Sequence, residues 1–368
     1  MGQVNFDERP MLVFWESTRA CLLACKHCRA EAIHTPMPNE LTTAEAFQFV
    51  ESLLSFGRPY PVLIITGGDV LMRSDAFEIV AYARSLGIPV GLAPSVTPKL
   101  TDGNIARMKE LGVKVVSISL DGAKAETHEK IRGVAGHFSE TVRAVERLVA
   151  AGFEVQVNTA VMEDNMHELP AVAKLLRDLG VHIWEVFFLI HVGRGKQSGE
   201  LSAEACEDVS HFLYEASKYD MIVRTVEAPF FRRVVAARKA AEPFAQVNAG
   251  PLYEQLSRDL QELLGEPISQ PRAQTSGTRD GKGIIFVSYD GTVYPAGFLP
   301  LPVGSIRQQT LSEIYRENEV LVGIREGQFS GKCSVCRYKD ACGGSRSRAF
   351  AKYGDVLAED PSCVYQPA

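Results

Sequence analysis

Two rhythms of apolar residues alternate along the first half of the chain. Met11–Phe14 is a short apolar run of the buried-strand kind. Thr42–Phe56 then carries Ala46, Phe49, Val50, Leu53 and Leu54 at the i, i+3, i+4 spacing of one helix face. Thr42 and Glu45 stand at capping-box spacing, and Gly57 can end the helix. The pairing repeats, with strands at Val62–Ile65, Pro89–Ala93, Val113–Leu120, Val155–Val161 and His182–Ile190. Between them lie helices at Ser74–Leu86, Thr101–Leu111, Phe138–Ala151 and His167–Leu179. Parallel strands need helical crossovers, so repeated βα units predict an α/β fold built on a parallel sheet. Periodicity alone leaves an open barrel and a doubly wound sheet equally available.

The second half breaks the rhythm. Ser202–Ser217 reads as a helix, Met221–Val226 as a short strand, and 228–270 as mainly helical with a break near Gly250 and Pro251. Gln270–Gly283 is polar and rich in turn formers, which predicts a linker. Ile284–Tyr289 and Thr292–Pro295 flank Asp290-Gly291 and predict a hairpin. One helix over Leu311–Arg325 leads into a cysteine-rich tail. The expected division is a core over 1–227, a helical insert and linker over 228–275, and a small hairpin-plus-helix domain over 276–368.

Composition narrows the function classes. With 46% hydrophobic and 23% charged residues the chain can bury a core. A net charge of −6 gives no electrostatic footprint for nucleic acid. No apolar run is long enough to predict a membrane span, and Met1–Pro10 lacks the basic and apolar regions of a signal peptide. A cytoplasmic protein that binds neither nucleic acid nor membrane is expected.

The eight cysteines fall into groups. Cys21, Cys25 and Cys28 form a C-x3-C-x2-C set just after the first strand, and Cys333, Cys336, Cys342 and Cys363 lie in the tail. Clustered cysteines in such a chain point to metal before disulfides. Three thiolates suit three irons of a cubane cluster and leave a fourth iron open. Zinc, with His27 as a fourth ligand, is the other reading of the first group, although His27 adjoins Cys28. The tail set can fully ligate a [4Fe–4S] cluster or hold structural zinc. Cys206 stands alone near the start of a helix and is expected to be buried and inert.

The first cysteine set, by spacing and position, resembles that of the radical S-adenosylmethionine (SAM) superfamily. The resemblance implies a partial (β/α)6 barrel in which the open iron chelates SAM and an electron from the cluster yields a 5′-deoxyadenosyl radical. Thr66-Gly67-Gly68-Asp69 resembles the family's Gly-Gly-Glu-Pro loop, whose backbone binds the SAM amino group, with Asp69 for Glu and Val70 for Pro, so Gly67, Gly68 and Asp69 are implied SAM contacts. Ser117-Ile-Ser119-Leu-Asp121-Gly122 resembles its fourth-strand signature. By the same resemblance Ser95, Ser119, Asn158 and Arg194 are SAM contacts, Arg194 through its fork on the carboxylate. His27 is expected to pack behind the ligands. The tail, with Cys342-Gly-Gly-Ser-Arg346-Ser-Arg348, Tyr353-Gly-Asp355 and Val293-Tyr-Pro295-Ala296, resembles the SPASM and twitch auxiliary-cluster domains. Many relatives carry cysteine where Ala296 stands, and a full SPASM domain needs seven. Four imply one auxiliary cluster, hence two [4Fe–4S] clusters in all, alongside SAM.

Phe14-Trp-Glu16, Cys28-Arg-Ala-Glu-Ala, Arg132-Gly133, Phe187-Phe-Leu and Val192-Gly193 place the resemblance nearest the anaerobic heme-biosynthesis branch, which includes heme synthases and the heme d1 pathway. It implies oxidative decarboxylation of porphyrin propionates, with an electron donor such as ferredoxin or flavodoxin. A polyanionic porphyrin calls for arginine forks, and Arg232, Arg233, Arg238, Arg346 and Arg348 are candidates against a solvated basic face. His191 is a candidate axial ligand against a structural histidine. Two other readings remain. One is a maturase acting on a ribosomal peptide, which the start of the first strand by residue 11 disfavours because no leader-binding domain fits before it. The other is a non-catalytic iron–sulfur or zinc protein.

Overall fold

The computed structural model describes residues 5–240, 249–273 and 277–367. The middle of the predicted helical insert, 241–248, and part of the predicted linker, 274–276, lie outside the described residues.

Seven parallel strands form the body of one sheet. They are β1 (Leu12–Glu16), β2 (Val62–Thr66), β3 (Val90–Leu92), β4 (Val115–Ser119), β5 (Glu154–Val161), β6 (Ile183–Phe188) and β7 (Ile222–Val226), paired in that order. The crossovers carry α1 (Thr43–Ser52), α2 (Ala76–Ser85), α3 (Asp102–Glu110), α4 (Ala125–Arg132), α5 (His137–Ala150), α6 (Leu169–Asp178) and α7 (Ala203–Ala216). The capping box at α1 forms as expected, with Thr42 and Glu45 bonding reciprocally. Burial alternates along β2 and β4 and along most of β1 and β6, while β3 is buried throughout. Val13, Trp15, Leu63, Ile65, Val116, Ile118, Val157 and Trp184 pack in one apolar core with the helices. The opposite face carries Ser117, Ser119, Gln156, Asn158 and Glu185, the composition of a site rather than of a core.

The structure departs from the sequence reading in four places. The predicted linker contains a two-residue strand, β8 (Arg279–Asp280), and Ala273 bridges to Val223. The hairpin of β9 (Gly283–Val287) and β10 (Thr292–Tyr294) is continuous with the barrel sheet. Strand β9 pairs parallel with β1, Leu12 against Ile284 through Trp15 against Val287. The short strand β11 (Gly304–Ser305) closes that edge. The single helix expected over Leu311–Arg325 is two, α10 (Leu311–Glu317) and α11 (Glu319–Glu326). They part at Asn318, whose side chain accepts the amides of Val320 and Leu321 and caps the second. Helix α4 has no counterpart in the sequence reading.

Beyond β7 come α8 (Phe230–Lys239), α9 (Pro251–Leu264), the four-residue α12 (Gly331–Ser334) and α13 (Arg346–Tyr353). Among the described residues no helix is long and apolar enough to cross a membrane.

Candidate functional site

Cys21, Cys25 and Cys28 lie on the loop after β1, at the carboxyl ends of the parallel strands, where α/β sheets place ligands. The loop is anchored along its length. Thr18 donates through Oγ1 to Glu40, which also accepts the amides of Arg19 and Met37. Ala20 bridges Ile33, and Cys21 N donates to the Ile33 carbonyl at 2.7 Å. The Gly67-Gly68 turn after β2 lies directly on this stalk. Gly68 and Asp69 donate their amides to the Thr18 and Ala20 carbonyls, both at 2.7 Å. Side chains at either glycine would overlap that backbone, which is the physical reason for the glycine pair.

Asp69 is fully buried and accepts from Leu71 N, Ser95 N and Thr97 Oγ1. Burial pushes its carboxyl up against those bonds. Its carboxylate therefore braces the loops after β2 and β3. Ser95 donates to the Gly68 carbonyl at 2.9 Å and stands 3.7 Å from Cys21 Sγ. Ser119, Asn158, Glu185 and Arg224 are register partners in turn across β4, β5, β6 and β7, a polar row at one height. Gln156 bridges Asn158 Oδ1 and Glu185 Oε2, each at 2.8 Å. Burial pushes the Glu185 carboxyl up, against the pull of Arg224.

Arg194 differs from its expected role. Its Nε and Nη1 donate to the carbonyls of Cys25 and Ala32 at 2.9 and 3.0 Å, and its amide donates to the Cys28 carbonyl. The fork is thus engaged in holding the cysteine loop, with Nη2 left as the unbonded nitrogen.

Three thiols in this setting suit a cubane cluster by donor chemistry. Leu23 N–H and the Arg132 guanidinium donate toward Cys21 and Cys25 sulfur at 3.4 and 3.5 Å, as thiolate ligands accept. His27 is half-buried, and burial pushes its pKa down to about 4, outweighing the Asp121 carboxylate 3.6 Å away. Arg132 pairs with the buried Asp121 at 2.6 Å. Arg29 pairs with Glu16 at 3.1 Å and stacks on Phe286 at 4.4 Å. The sequence singled out Arg132, Arg29 and Glu16 only as words of the resemblance, and neither pairing was read from it.

The four tail cysteines line one cavity. Burial pushes the Cys342 and Cys363 thiols up to about 12 and about 11. Gly343 and Gly344 both have positive φ, and a side chain at either would strike the Arg279 or Arg346 guanidinium. Tyr338 N and Gly344 N donate to the Cys336 and Cys342 sulfurs at 3.4 Å. The set thus gathers four cysteines around one cavity, two of them half-buried. Ala296 packs with Leu299, Ile324 and Val356 in a separate apolar cluster.

The arginines weighed for a polyanionic substrate are engaged within the protein. Arg346 is fully buried and donates to the Val356 and Ala358 carbonyls, and Arg348 binds Glu200 and the Glu227 and Leu189 carbonyls. Arg233 pairs with Glu207, Arg238 with Glu215 and His211, and Arg232 reaches the Ala341 carbonyl. His191 uses both ring nitrogens, toward Glu200 at 3.3 Å and the Ser198 carbonyl at 3.0 Å, so it is a structural histidine. Cys206 is buried with its pKa raised to about 12 by burial, an inert thiol.

The model of the Radical SAM superfamily matches residues 15–176. Over 364 residues the chain is 37% identical to the AdoMet-dependent heme synthase of Oleidesulfovibrio alaskensis, covering 97% of this chain and 87% of that protein. It is also 37% identical over 366 residues to the AdoMet-dependent heme synthase of Methanosarcina barkeri, covering 99% of each. The structure of native anSMEcpe with bound AdoMet superposes with a TM-score of 0.67, covering 96% of this chain and 93% of that one, at 18% identity. That likeness speaks for the fold.

Proposed function

The chain belongs to the radical SAM superfamily, enzymes that use SAM and a [4Fe–4S] cluster for radical chemistry, and from that premise we propose that it is a heme synthase acting on the propionate side chains of iron-coproporphyrin III. The observation that carries this reading is the 37% identity, over 97% of the chain, to a protein of that name. When bound, the cluster and SAM supply the 5′-deoxyadenosyl radical that takes a hydrogen atom from the substrate.

The protein's own residues do the rest. Cys21, Cys25 and Cys28 hold three irons and leave one for SAM. Gly67, Gly68, Ser95, Ser119 and Asn158 would contact SAM, whereas Asp69 and Arg194 would act by fixing the loops around it, to which they are bonded. Residues 1–227 form the SAM-binding core, and 228–275 join it to an auxiliary-cluster domain over 276–368. There Cys333, Cys336, Cys342 and Cys363 hold a second [4Fe–4S] cluster. Held by four protein ligands, that cluster would have no open iron and would supply an electron acceptor. The apolar packing of Ala296 supports one such cluster rather than two. A low-potential donor such as ferredoxin or flavodoxin serves the first cluster.

The test is anaerobic reconstitution, iron and sulfide counting, and reduction with dithionite in the presence of SAM. About eight irons are expected for two [4Fe–4S] clusters, with formation of 5′-deoxyadenosine. Added iron-coproporphyrin III should then lose propionate carboxyls as carbon dioxide. SAM cleavage with the porphyrin left intact overturns the heme-synthase reading, and bound zinc with intact SAM overturns the cluster assignment itself.

A further inference from the structure

Helix α4 touches the first cysteine loop at three points. Lys26 N donates to the Ile131 carbonyl at 2.9 Å. Gly133, which caps the helix in the left-handed region, lies under the Ala24 carbonyl, 3.2 Å from where a Cβ would stand. Between these contacts Arg132 extends to the sulfur of Cys25, its Nη1 at 3.5 Å. The other nitrogen of the fork, Nη2, lies 2.6 Å from Asp121 Oδ2, and the two side chains are only 10% and 0% exposed.

Asp121 is itself fixed. Its Oδ1 accepts the Ala160 amide at 2.8 Å, and its own amide donates to His128 Nδ1. Burial pushes its carboxyl up, but the Arg132 guanidinium leads the groups that offset this and hold it below the usual carboxylate range. His27 Nε2 lies 3.6 Å from Asp121 Oδ2. Two guanidinium groups thus flank Cys25 with different duties. Arg194 binds its carbonyl, and Arg132 binds its sulfur.

We infer that Arg132, held by Asp121, is a positioning residue that sets the reduction potential of the SAM-binding cluster through its hydrogen bond to Cys25. The inference rests on the assignment of Cys21, Cys25 and Cys28 as cluster ligands. An added electron makes the cluster more negative. A buried N–H donor on a ligand sulfur stabilises that state and raises the potential. Asp121 opposes the guanidinium charge and keeps the rise moderate. The two members of the pair therefore act in opposite directions. Removing Arg132 takes away the donor and leaves a buried anion beside the ligand. Removing the Asp121 charge leaves the cation unopposed.

The test compares reconstituted full-length wild type, Arg132→Met, Arg132→Lys and Asp121→Asn by EPR at controlled ambient potential. The signal followed is the one that changes on adding SAM, and iron and sulfide are counted in parallel. At the wild-type midpoint, Arg132→Met should lower the reduced-to-oxidised ratio about tenfold, equivalent to about 59 mV for a one-electron couple. Asp121→Asn should raise the ratio, and Arg132→Lys should fall between wild type and Arg132→Met. A purely structural role predicts loss of iron or equal potentials, and cannot produce shifts of opposite sign. Unshifted potentials, or shifts of the same sign, overturn the inference. So does loss of the cluster in Arg132→Met together with an unshifted Asp121→Asn. A wild-type chain without a SAM-responsive cluster signal overturns the ligand assignment instead.

Discussion

Asp69 donates its backbone N–H to the Ala20 carbonyl at 2.7 Å, and that bond ties the turn after β2 to the residue preceding Cys21. The contact is possible because Gly68 has no side chain, since a Cβ there would overlap the Ala20 carbonyl oxygen. Gly68→Ala must therefore push the two loops apart, at a cost of about 1–3 kcal/mol, the usual range for overpacking. The damage falls on the cysteine loop rather than on the core. The expected result is a modestly lower Tm with a large loss of iron at the first site and of SAM cleavage. Full iron loading in Gly68→Ala would show that the close approach is dispensable.

The Glu207–Arg233 pair joins α7 to α8 with both side chains 2% exposed. His211 lies 3.4 Å from the same carboxylate. Arg233→Met leaves a buried, uncompensated carboxylate and should destabilise by about 3–5 kcal/mol. The double variant Glu207→Gln/Arg233→Met removes both charges and should recover most of that loss. Thermal and denaturant unfolding of the single and double variants measures the difference. Equal stability of the two would mean that the charge pairing itself contributes nothing.

Much of this arrangement was legible in the sequence, for identifiable reasons. Strands such as Val62–Thr66 and Glu154–Val161 announce themselves because each buries one apolar face, and the cysteine sets because ligands must cluster. Helix α4 was invisible because the residues it buries are His128, Ile131 and Arg132, which make no apolar stripe. The β1–β9 pairing joins residues about 270 positions apart, and no local pattern encodes such a register. The burial of Arg346 and Arg348 was equally unreadable. Their acceptors are mostly backbone carbonyls, Val356, Ala358, Leu189 and Glu227, which carry no residue identity.

Glu227, just past β7, has its carboxyl pushed up to about 8, first by burial and then by the Asp280 carboxylate. Ser347 Oγ lies 2.9 Å from Glu227 Oε1 and 2.8 Å from Asp280 Oδ2, yet has one proton to donate. A proton on Glu227 resolves the conflict by donating to Ser347, which donates on to Asp280. The folded state therefore favours protonated Glu227, while the unfolded chain titrates it at the ordinary glutamate value of 4.5. The stability this group contributes is complete below that value and is lost as pH rises through about 8. Glu227→Gln keeps a donor for Ser347 and cannot ionise. Its Tm should fall less than that of wild type between pH 6 and pH 8.5, flattening a slope of up to ~1.4 kcal/mol per pH unit. Parallel Tm–pH curves for the two proteins would rule out this titration.

Cys336 is one of two half-buried members of the tail set, with Cys363, and it accepts the Tyr338 amide at 3.4 Å. Cys336→Ala removes one of four proposed ligands of the auxiliary cluster while leaving the loop after β1 untouched. Iron content should drop by about half, from about eight to about four, since each cubane holds four. SAM cleavage should persist because Cys21, Cys25, Cys28 and their bracing residues are intact. Product formation should fail because the electron released on decarboxylation has lost its acceptor. The variant thus separates radical generation from turnover: 5′-deoxyadenosine appears without carbon dioxide. Unchanged iron in Cys336→Ala would remove the auxiliary cluster from the scheme. Unchanged carbon dioxide release despite halved iron would assign that cluster a structural role, with the electron leaving by another route.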